Sequence, residues 1–323
     1  MRYLHSMPLP TRDFPAGTLG PLDLPVNPLT LVLLSFELTN VAPAALLTYS
    51  AIDDLLTNVT GVIIKHKGEN IISGTLRDLA YINARIFNRP LHWDRLAQTS
   101  AGIRRITVPL GFGRRAYDPK ECFPATSRGN LTLELTRAAN PAGFSDVNLI
   151  VETVELIEAD PEKYLKYTPQ ATTAVVGQFE QTLPIGNPYV ALAFFDTALA
   201  TLDTATSSWG QVKLLKDNVE QYFPLSDAQT LAAIDGVHGR HVDPELASHV
   251  HQINDGAALS FSDDPVIPVS QGFRGYFQMN FDPLGDGQYL LETTGAADIK
   301  LRATGTSATA VRVTPVELVS VKK

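Results

Sequence analysis

Residues 61–87 read GVIIKHKGENIISGTLRDLAYINARIF, and this stretch decides the fold expected for the whole chain. The β-branched run Val62–Ile64 predicts a strand, and the polar residues 67–70 supply the chemistry of a turn. Ile71 and Ile72 predict a second short strand after that turn. The stretch therefore begins with a β-hairpin.

A helix is expected directly after this hairpin. Thr75 and Asp78 have the spacing of a capping box, with Asp in place of the usual Glu. Apolar residues then recur every three or four positions, which predicts a helix with one buried stripe. The stripe consists of Leu76, Leu79, Ala80, Ile86 and Phe87.

The same order of elements returns in the second half of the chain, where residues 210–234 read GQVKLLKDNVEQYFPLSDAQTLAAI. Lys216–Asn218 predicts the turn, and Ser226 with Gln229 predicts the start of a second helix. The two stretches begin 149 positions apart (210 − 61). Such an internal repeat is a primary signal of architecture.

Further features repeat in the same order along the chain. Similar strands begin at Leu24 and Leu183, alternating segments lie at 130–136 and 298–304, and the sequence VEL occurs at 154–156 and 316–318. Many short strands separated by Gly- and Pro-rich loops favour a β-sandwich or barrel over a parallel sheet. The sequence therefore predicts an all-β fold of two tandem jelly-roll β-sandwiches, each with a short helix.

Four domain segments follow from this repeat. We expect an N-terminal arm at 1–21, a first jelly roll at 22–158, a linker at 159–181 and a second jelly roll at 182–323. Residues Arg2, Tyr3, Leu4 and Phe14 could anchor the arm on a neighbouring molecule. A frayed terminus is the alternative interpretation of the arm.

Composition limits the function classes. The chain has 323 residues, 19% of them charged, which is below the typical ~25% and suggests that an oligomer covers part of the surface. A net charge of −8 argues against a nucleic-acid-binding protein. Cys122 is the single cysteine, so neither an internal disulfide nor a thiolate metal site is expected. The first residues do not have the pattern of a signal peptide, which favours a reducing compartment.

Four histidines form the richest group of possible metal ligands: His238, His241, His249 and His251. A cupin metal site needs an H-x-H pair, then a Glu a few residues later, and a distant His. Residues 252–255 contain no Glu, and the first half offers only His66 and His92. We therefore interpret the histidines as part of an exposed loop in the second copy.

Two other charged groups have both a functional and an ordinary interpretation. Asp264, Asp282 and Asp286 lack the spacing of an EF-hand loop, so turn chemistry is favoured over calcium binding. A basic group could bind phosphate or an acidic partner subunit, or could form a solvated surface. It consists of Arg104, Arg105, Arg114, Arg115, Arg128 and Lys120.

Signatures of catalysis are not recognisable in this sequence. Ser, His, Asp and Cys residues do not show the local patterns of a nucleophilic site, and Gly111–Gly113 lacks the context of a dinucleotide-binding loop. We expect no catalytic residues, no cofactor-binding residues, no metal site and no enzyme activity.

The sequence resembles the double jelly-roll major capsid proteins of tailless icosahedral viruses, such as the adenovirus hexon and its bacteriophage and archaeal-virus relatives. The resemblance lies in residues 61–87, in Ile106–Gly113 with the following Asp118 and Phe123–Pro124, and in the closing VEL strand. It covers residues 22–320. The short chain suggests a compact version from a virus of bacteria or archaea.

This resemblance implies a structural protein of the virion capsid, assembled in the host cytoplasm. Three chains with two jelly rolls each would form a pseudo-hexagonal homotrimer that tiles an icosahedral shell. The implied partners are further copies of the chain, penton or minor capsid proteins, and an internal membrane reached through the arm. The alternative function is a bicupin-like metal enzyme or a carbohydrate-binding double β-domain.

Overall fold

The computed structural model describes residues 2–40, 55–89, 91–93, 103–140, 144–173, 176–196, 208–227, 276–306 and 310–321. These residues divide into two compact units. The first unit lies within Met1–Pro161, and the second lies within Glu162–Arg240 and Phe273–Lys323. The prediction of an all-β fold with two jelly rolls in tandem is confirmed.

The first unit contains nine strands and one helix whose full extent is described, α1, and residues 55–58 are also helical. They are β1 (Arg2–Asp13), β2 (Gly17–Asp23), β3 (Leu29–Asn40), β4 (Gly61–His66), β5 (Glu69–Gly74), α1 (Leu76–Phe87), β6 (His92–Trp93), β7 (Ile103–Gly111), β8 (Leu131–Arg137) and β9 (Phe144–Ile157). One sheet has the order β1-β9-β3-β7-β6, and the facing set of strands has the order β5-β4-β8-β2.

The second unit contains nine described strands. They are β10 (Lys163–Tyr167), β11 (Gln170–Thr173), β12 (Gly177–Thr182), β13 (Tyr189–Asp196), β14 (Trp209–Lys216), β15 (Val219–Asp227), β16 (Phe277–Asn280), β17 (Ile299–Gly305) and β18 (Ala310–Ser320). Strands β16-β13-β18-β10 are neighbours in that order, β11 also pairs with β18, and the other sheet has the order β12-β17-β14-β15.

Eight strands of each unit correspond one to one in order, while β6 and β11 have no counterpart among the described strands. The order β1-β9-β3-β7 in the first unit matches β10-β18-β13-β16 in the second, and β5-β4-β8-β2 matches β15-β14-β17-β12. All of these pairings are antiparallel where the registers are described. Each unit therefore has the eight-stranded arrangement of a jelly roll.

The two predicted hairpins form with the same kind of turn. Lys67 and Gly68 connect β4 to β5 with φ values of 51° and 85°, and Asp217 and Asn218 connect β14 to β15 with φ values of 53° and 62°. Positive φ at both central residues is typical of the type I′ turn, which matches the twist of the flanking strands. This geometry explains why Gly, Asp and Asn occupy these turns.

Helix α1 starts as predicted, but it is buried on more than one stripe. The Thr75 side chain accepts a hydrogen bond from the backbone N–H of Asp78 at 3.2 Å. Arg77, Asp78 and Asn83 are buried as well as the apolar residues. Asn83 donates to the Leu79 carbonyl and accepts from the backbone N–H of Gly111, both at 2.8 Å. The single-stripe prediction is wrong because these polar groups find partners within the fold.

The predicted start of a second helix at Ser226 is wrong. Ser226 and Asp227 belong to strand β15, where they pair with Val212 and Gln211. The local capping pattern is overridden by pairing in a β-ladder with β14. Residues 228–234 of that prediction lie outside the described residues.

The second unit has an aromatic core between its sheets. Phe194 and Phe277 stack with ring centroids 4.6 Å apart, and Trp209 meets the Phe194 ring edge-on at 5.1 Å. All three side chains are buried. Aromatic pairs in these geometries add to the stability that burial of their area already provides.

Strands occupy the segments expected as an arm and a linker. Within residues 1–21, β1 pairs with β9 and β2 pairs with β8. Within residues 159–181, β10 and β11 pair with β18, and β12 pairs with β17. The two segments are thus corresponding elements of the repeat. The predicted bounds of the jelly rolls, 22–158 and 182–323, stay predictions.

Candidate assembly surfaces

Strand β1 presents an exposed sheet edge with apolar side chains. It is the outer strand of its sheet, with Tyr3, Leu4 and Met7 exposed to 65%, 47% and 52%. Tyr3 also contacts Tyr117 edge-on, with ring centroids 5.5 Å apart. A long edge strand with unpaired backbone groups and apolar side chains is prone to pair with another chain.

Polar side chains attach β1 to the interior of the first unit. Ser6 donates to Glu155 Oε1 at 2.7 Å, and Asn27 donates to Glu155 Oε2 at 2.7 Å. Glu155 is only 3% exposed, so both donors compensate for the loss of water around its carboxylate. The Glu of the VEL sequence is therefore a link between β1, β9 and the residues that lead into β3.

The second unit contains the corresponding link. Asn187 donates to Glu317 Oε2 at 2.7 Å, and Glu317 is also 3% exposed. Glu155 pairs with Leu4 of β1, whereas Glu317 pairs with Lys166 of β10. The sequence repeat recognised from VEL thus includes a buried Asn–Glu hydrogen bond, which the residue pattern did not reveal.

Phe14 anchors the N-terminal segment in its own chain. Its side chain is fully buried, packs against Phe36 and lies beneath the guanidinium of Arg137. Arg137 Nε also donates to the Phe14 carbonyl at 2.8 Å. The expectation that Phe14 reaches a neighbouring molecule is therefore wrong, because this ring fills the core of the first unit.

The loop at residues 111–129, called loop one, is built around an ion pair. Arg114 Nε lies 2.9 Å from Glu121 Oε2, and the backbone N–H of Arg114 donates to the same oxygen at 3.2 Å. A Cβ at Gly111 would overlap Phe87, and one at Gly113 would overlap the Glu121 carbonyl. Close packing, not ligand binding, accounts for these two glycines.

Cys122 lies inside loop one and is buried. Burial raises the pKa of its thiol to about 12, and the negative charge of Asp118 adds to this shift. Because the thiolate is the reactive form, this residue is inert at neutral pH. Its role is that of a small core residue.

The predicted basic group is divided among different partners. Arg105 forms an ion pair with Glu37, and Arg114 forms one with Glu121. Arg128 Nε lies 3.9 Å from Asp23, and both of these side chains are largely exposed. Arg115 and Lys120 are exposed, and the side chain of Arg104 lies outside the described residues. Arg105, Arg114 and Arg128 therefore have separate carboxylate partners, and binding of phosphate or of an acidic partner subunit stays a prediction.

Asp282 and Asp286 stabilise turns in the loop at residues 281–297, called loop two. Asp282 Oδ1 accepts from the backbone N–H of Gly287 at 2.8 Å, and Asp286 Oδ1 accepts from that of Gln288 at 2.9 Å. Both carboxylates therefore have the turn role that the sequence favoured. Asp264 lies outside the described residues.

The histidines do not form a metal site where the structure describes them. His66 packs edge-on against Phe123, and burial lowers its pKa, with Lys67 adding to the shift. Within the described ranges, no group of three His, Cys, Asp or Glu side chains could hold a metal ion. The side chain of His92 and the residues His238, His241, His249 and His251 lie outside those ranges. Among the described helices, none has the length and apolar character needed to span a bilayer.

Known structures share this architecture across nearly the whole chain. No family model and no curated sequence matches the chain. The major capsid protein of bacteriophage PM2 matches with a TM-score of 0.63 and 11% identity, covering 100% of this chain and 99% of that one. The STIV major capsid protein matches with a TM-score of 0.67 and 12% identity, covering 99% and 97%.

A third structure, the capsid of the virus PBCV-1, matches with a TM-score of 0.57 and 12% identity, over 98% of this chain and 94% of that one. At these identities the likeness shows a shared fold. The chain has the double jelly-roll fold of viral major capsid proteins.

Proposed function

We propose that this chain, with the double jelly-roll fold just described, is a major capsid protein that assembles as a homotrimer into an icosahedral viral shell. The observation that carries the proposal is the one-to-one correspondence in the order of eight strands in each unit. It is supported by the match to two phage and virus capsid proteins over at least 97% of both chains.

The doubled fold supplies a physical reason for a trimer. Three chains with two similar jelly rolls each place six similar domains around one threefold axis, so the trimer approximates a hexagon. A hexagonal outline tiles a shell, while the two units of each chain remain free to differ in their contacts. We therefore propose a structural role in the virion, with further copies of this chain as the first partners.

The exposed surface of the first unit fits self-association. Tyr3, Leu4 and Met7 on β1 and Tyr117 on loop one place apolar and aromatic side chains at the surface. Tyrosine and methionine are enriched at protein interfaces, and tyrosine buries a large area there at a low cost in conformational entropy. Partners such as penton proteins, minor proteins and an internal membrane stay predictions.

The decisive experiment is a mass measurement on the purified full chain, followed by assembly. We expect light scattering to give three times the 35.1 kDa of one chain at micromolar concentration. Electron microscopy should then show closed shells under assembly conditions. A monomer at that concentration, or trimers that never form shells with any tested salt or partner, would contradict the proposal.

A further inference from the structure

Loops one and two occupy equivalent positions in the two units. Phe123 in loop one exchanges two backbone hydrogen bonds with Leu29 at the start of β3, each at 2.9 Å. Leu291 in loop two exchanges two with Tyr189 at the start of β13, at 2.9 and 3.1 Å. Both loops therefore leave corresponding strands and return to corresponding residues.

The first residues of the loops are held in the same way. Phe112 donates its backbone N–H to the Thr30 carbonyl at 3.0 Å, and Phe281 donates to the Val190 carbonyl at 2.8 Å. Loop two is therefore the counterpart of loop one in the second unit. The difference between them lies in their side chains.

The two equivalent loops carry opposite charge. Loop one has four basic side chains and two acidic ones, a net charge of +2. They are Arg114, Arg115, Lys120, Arg128, Asp118 and Glu121. Loop two has three acidic side chains and no Lys or Arg, a net charge of −3, from Asp282, Asp286 and Glu292.

The opposite charges lie at the surface. Arg115 and Lys120 are exposed in loop one, and Asp286 and Glu292 are exposed in loop two. Lys216 approaches loop two, but its Nζ donates to the backbone carbonyl of Glu292 at 2.6 Å. Asp282 is buried, and the two exposed carboxylates of loop two, Asp286 and Glu292, outnumber this one cation.

Each loop also presents apolar side chains beside its charges. Tyr117 is 50% exposed in loop one, and Leu284 and Tyr289 are 65% and 49% exposed in loop two. An apolar or aromatic anchor surrounded by charged residues is the usual composition of a protein interface. Both loops therefore have the features of a binding surface, with complementary charge.

We propose that loop one of one chain binds loop two of a neighbouring copy of this chain. This inference rests on the proposed function, because it requires self-association. Contacts between two copies of loop one, or between two copies of loop two, place like charges together and are disfavoured. Because the two equivalent loops have opposite charge, pairing of loop one with loop two is favoured over pairing of two identical loops. The first unit of one chain then contacts the second unit of its neighbour.

Charge reversal on the full-length chain tests this pairing. One variant carries Arg115→Glu and Lys120→Glu, a second carries Asp286→Lys and Glu292→Lys, and a third carries all four changes. We expect each two-site variant to self-associate about 10- to 30-fold more weakly than the natural chain, measured as the midpoint concentration of assembly. The four-site variant should regain association, because its loops are again opposite in charge.

A matched control reverses two exposed arginines outside both loops and outside strand β1, Arg89→Glu and Arg302→Glu. It changes the net charge as much as the first variant does, and its midpoint should stay within about twofold of the natural one. The neutral variant Arg115→Ser with Lys120→Ser provides a second measurement if a reversed chain does not fold. Its assembly should depend less on salt than that of the natural chain.

The outcomes separate this inference from the proposed function. If the natural chain assembles but the two-site variants assemble equally well, or the four-site variant is not restored, the loop pairing is overturned and self-assembly stands. Unchanged salt dependence in the neutral variant also overturns the pairing. If the natural chain is a monomer at micromolar concentration, both proposals fall.

Discussion

At the residue scale, the buried Asn–Glu hydrogen bonds are the most informative feature of this chain. Asn27 with Glu155, and Asn187 with Glu317, place the same chemistry at the same position of each unit. A buried carboxylate is costly unless donors surround it. The repeated VEL sequence therefore marks a polar link inside each jelly roll as well as a closing strand.

We predict that Asn27→Ala lowers the free energy of unfolding by about 1–3 kcal/mol, because it leaves the Glu155 carboxylate without one of its donors. Asn187→Ala should have a similar effect through Glu317. Urea denaturation followed by circular dichroism measures both. The exposed Asn70 is the control, and Asn70→Ala should change stability by less than ~0.5 kcal/mol. An equal loss in all three variants would contradict the role of the buried links.

A second residue-scale prediction concerns Cys122. Its pKa is raised from 9.0 to about 12 by burial and by Asp118, so folding favours the neutral thiol. The stabilisation is complete below pH 9, where the thiol is neutral in both states. As pH rises above 9, the unfolded chain ionises first, and stability is lost progressively up to about pH 12.

We therefore expect Cys122 in the folded chain to resist a thiol reagent at pH 8 and to react at once in denaturant. Between pH 8 and 10 the natural chain should lose more stability than Cys122→Ala, which has no thiol to ionise. Rapid modification of the folded chain, or equal pH dependence of the two proteins, would show that the thiol is accessible.

At the scale of elements, the first 23 residues have two separate roles. Strand β1 forms an exposed edge, whereas Phe14 and strand β2 belong to the body of the first unit. Gly20 in strand β2 also packs closely against the first unit, because a Cβ at this position would lie only 2.8 Å from the Leu133 carbonyl oxygen. Within the predicted arm, Phe14 and β2 are therefore tied into the first unit more firmly than the side chains of β1, most of which are exposed.

Two truncations of the N-terminus distinguish these roles. Deleting residues 1–10 should leave a folded chain of lower stability with weaker shell assembly, because Phe14 and β2 remain in place. Deleting residues 1–20 should cost at least ~3–5 kcal/mol more, since it removes the Phe14 ring from the core. Thermal melting and light scattering measure the two effects, and identical melting temperatures for the two truncations would contradict this division.

At the scale of the whole molecule, duplication of the fold predicts the outline of the assembly. Averaged electron-microscopy views along the threefold axis should show six lobes that alternate between two slightly different kinds. The reason is that two similar units per chain, repeated by threefold symmetry, approximate sixfold symmetry. Three lobes, with one per chain, would contradict a pseudo-hexagonal capsomer.

Residue patterns alone predicted the repeat, the β-rich fold class, both hairpin turns and the Thr75 cap of helix α1. These features depend on local patterns: β-branched runs, turn residues and a capping residue act over a few positions. The order in which they recur, 149 to 162 positions apart, was enough to predict two tandem jelly rolls.

The strands that complete each sandwich depend on pairing between distant parts of the chain, which the residue patterns did not predict. Tyr3 pairs with Leu156, and Tyr164 pairs with Val319, so the partners of β1 and β10 lie more than 150 residues away. Strand β1 is an edge strand that contains prolines, and its sequence shows no strict alternation of apolar and polar residues because most of its side chains face solvent. Strand β15 likewise continues through Ser226 and Asp227, because pairing with β14 outweighs the capping pattern that predicted a helix start at Ser226. The equivalence of loops one and two depends on backbone hydrogen bonds to distant strands, and residue patterns do not record such bonds.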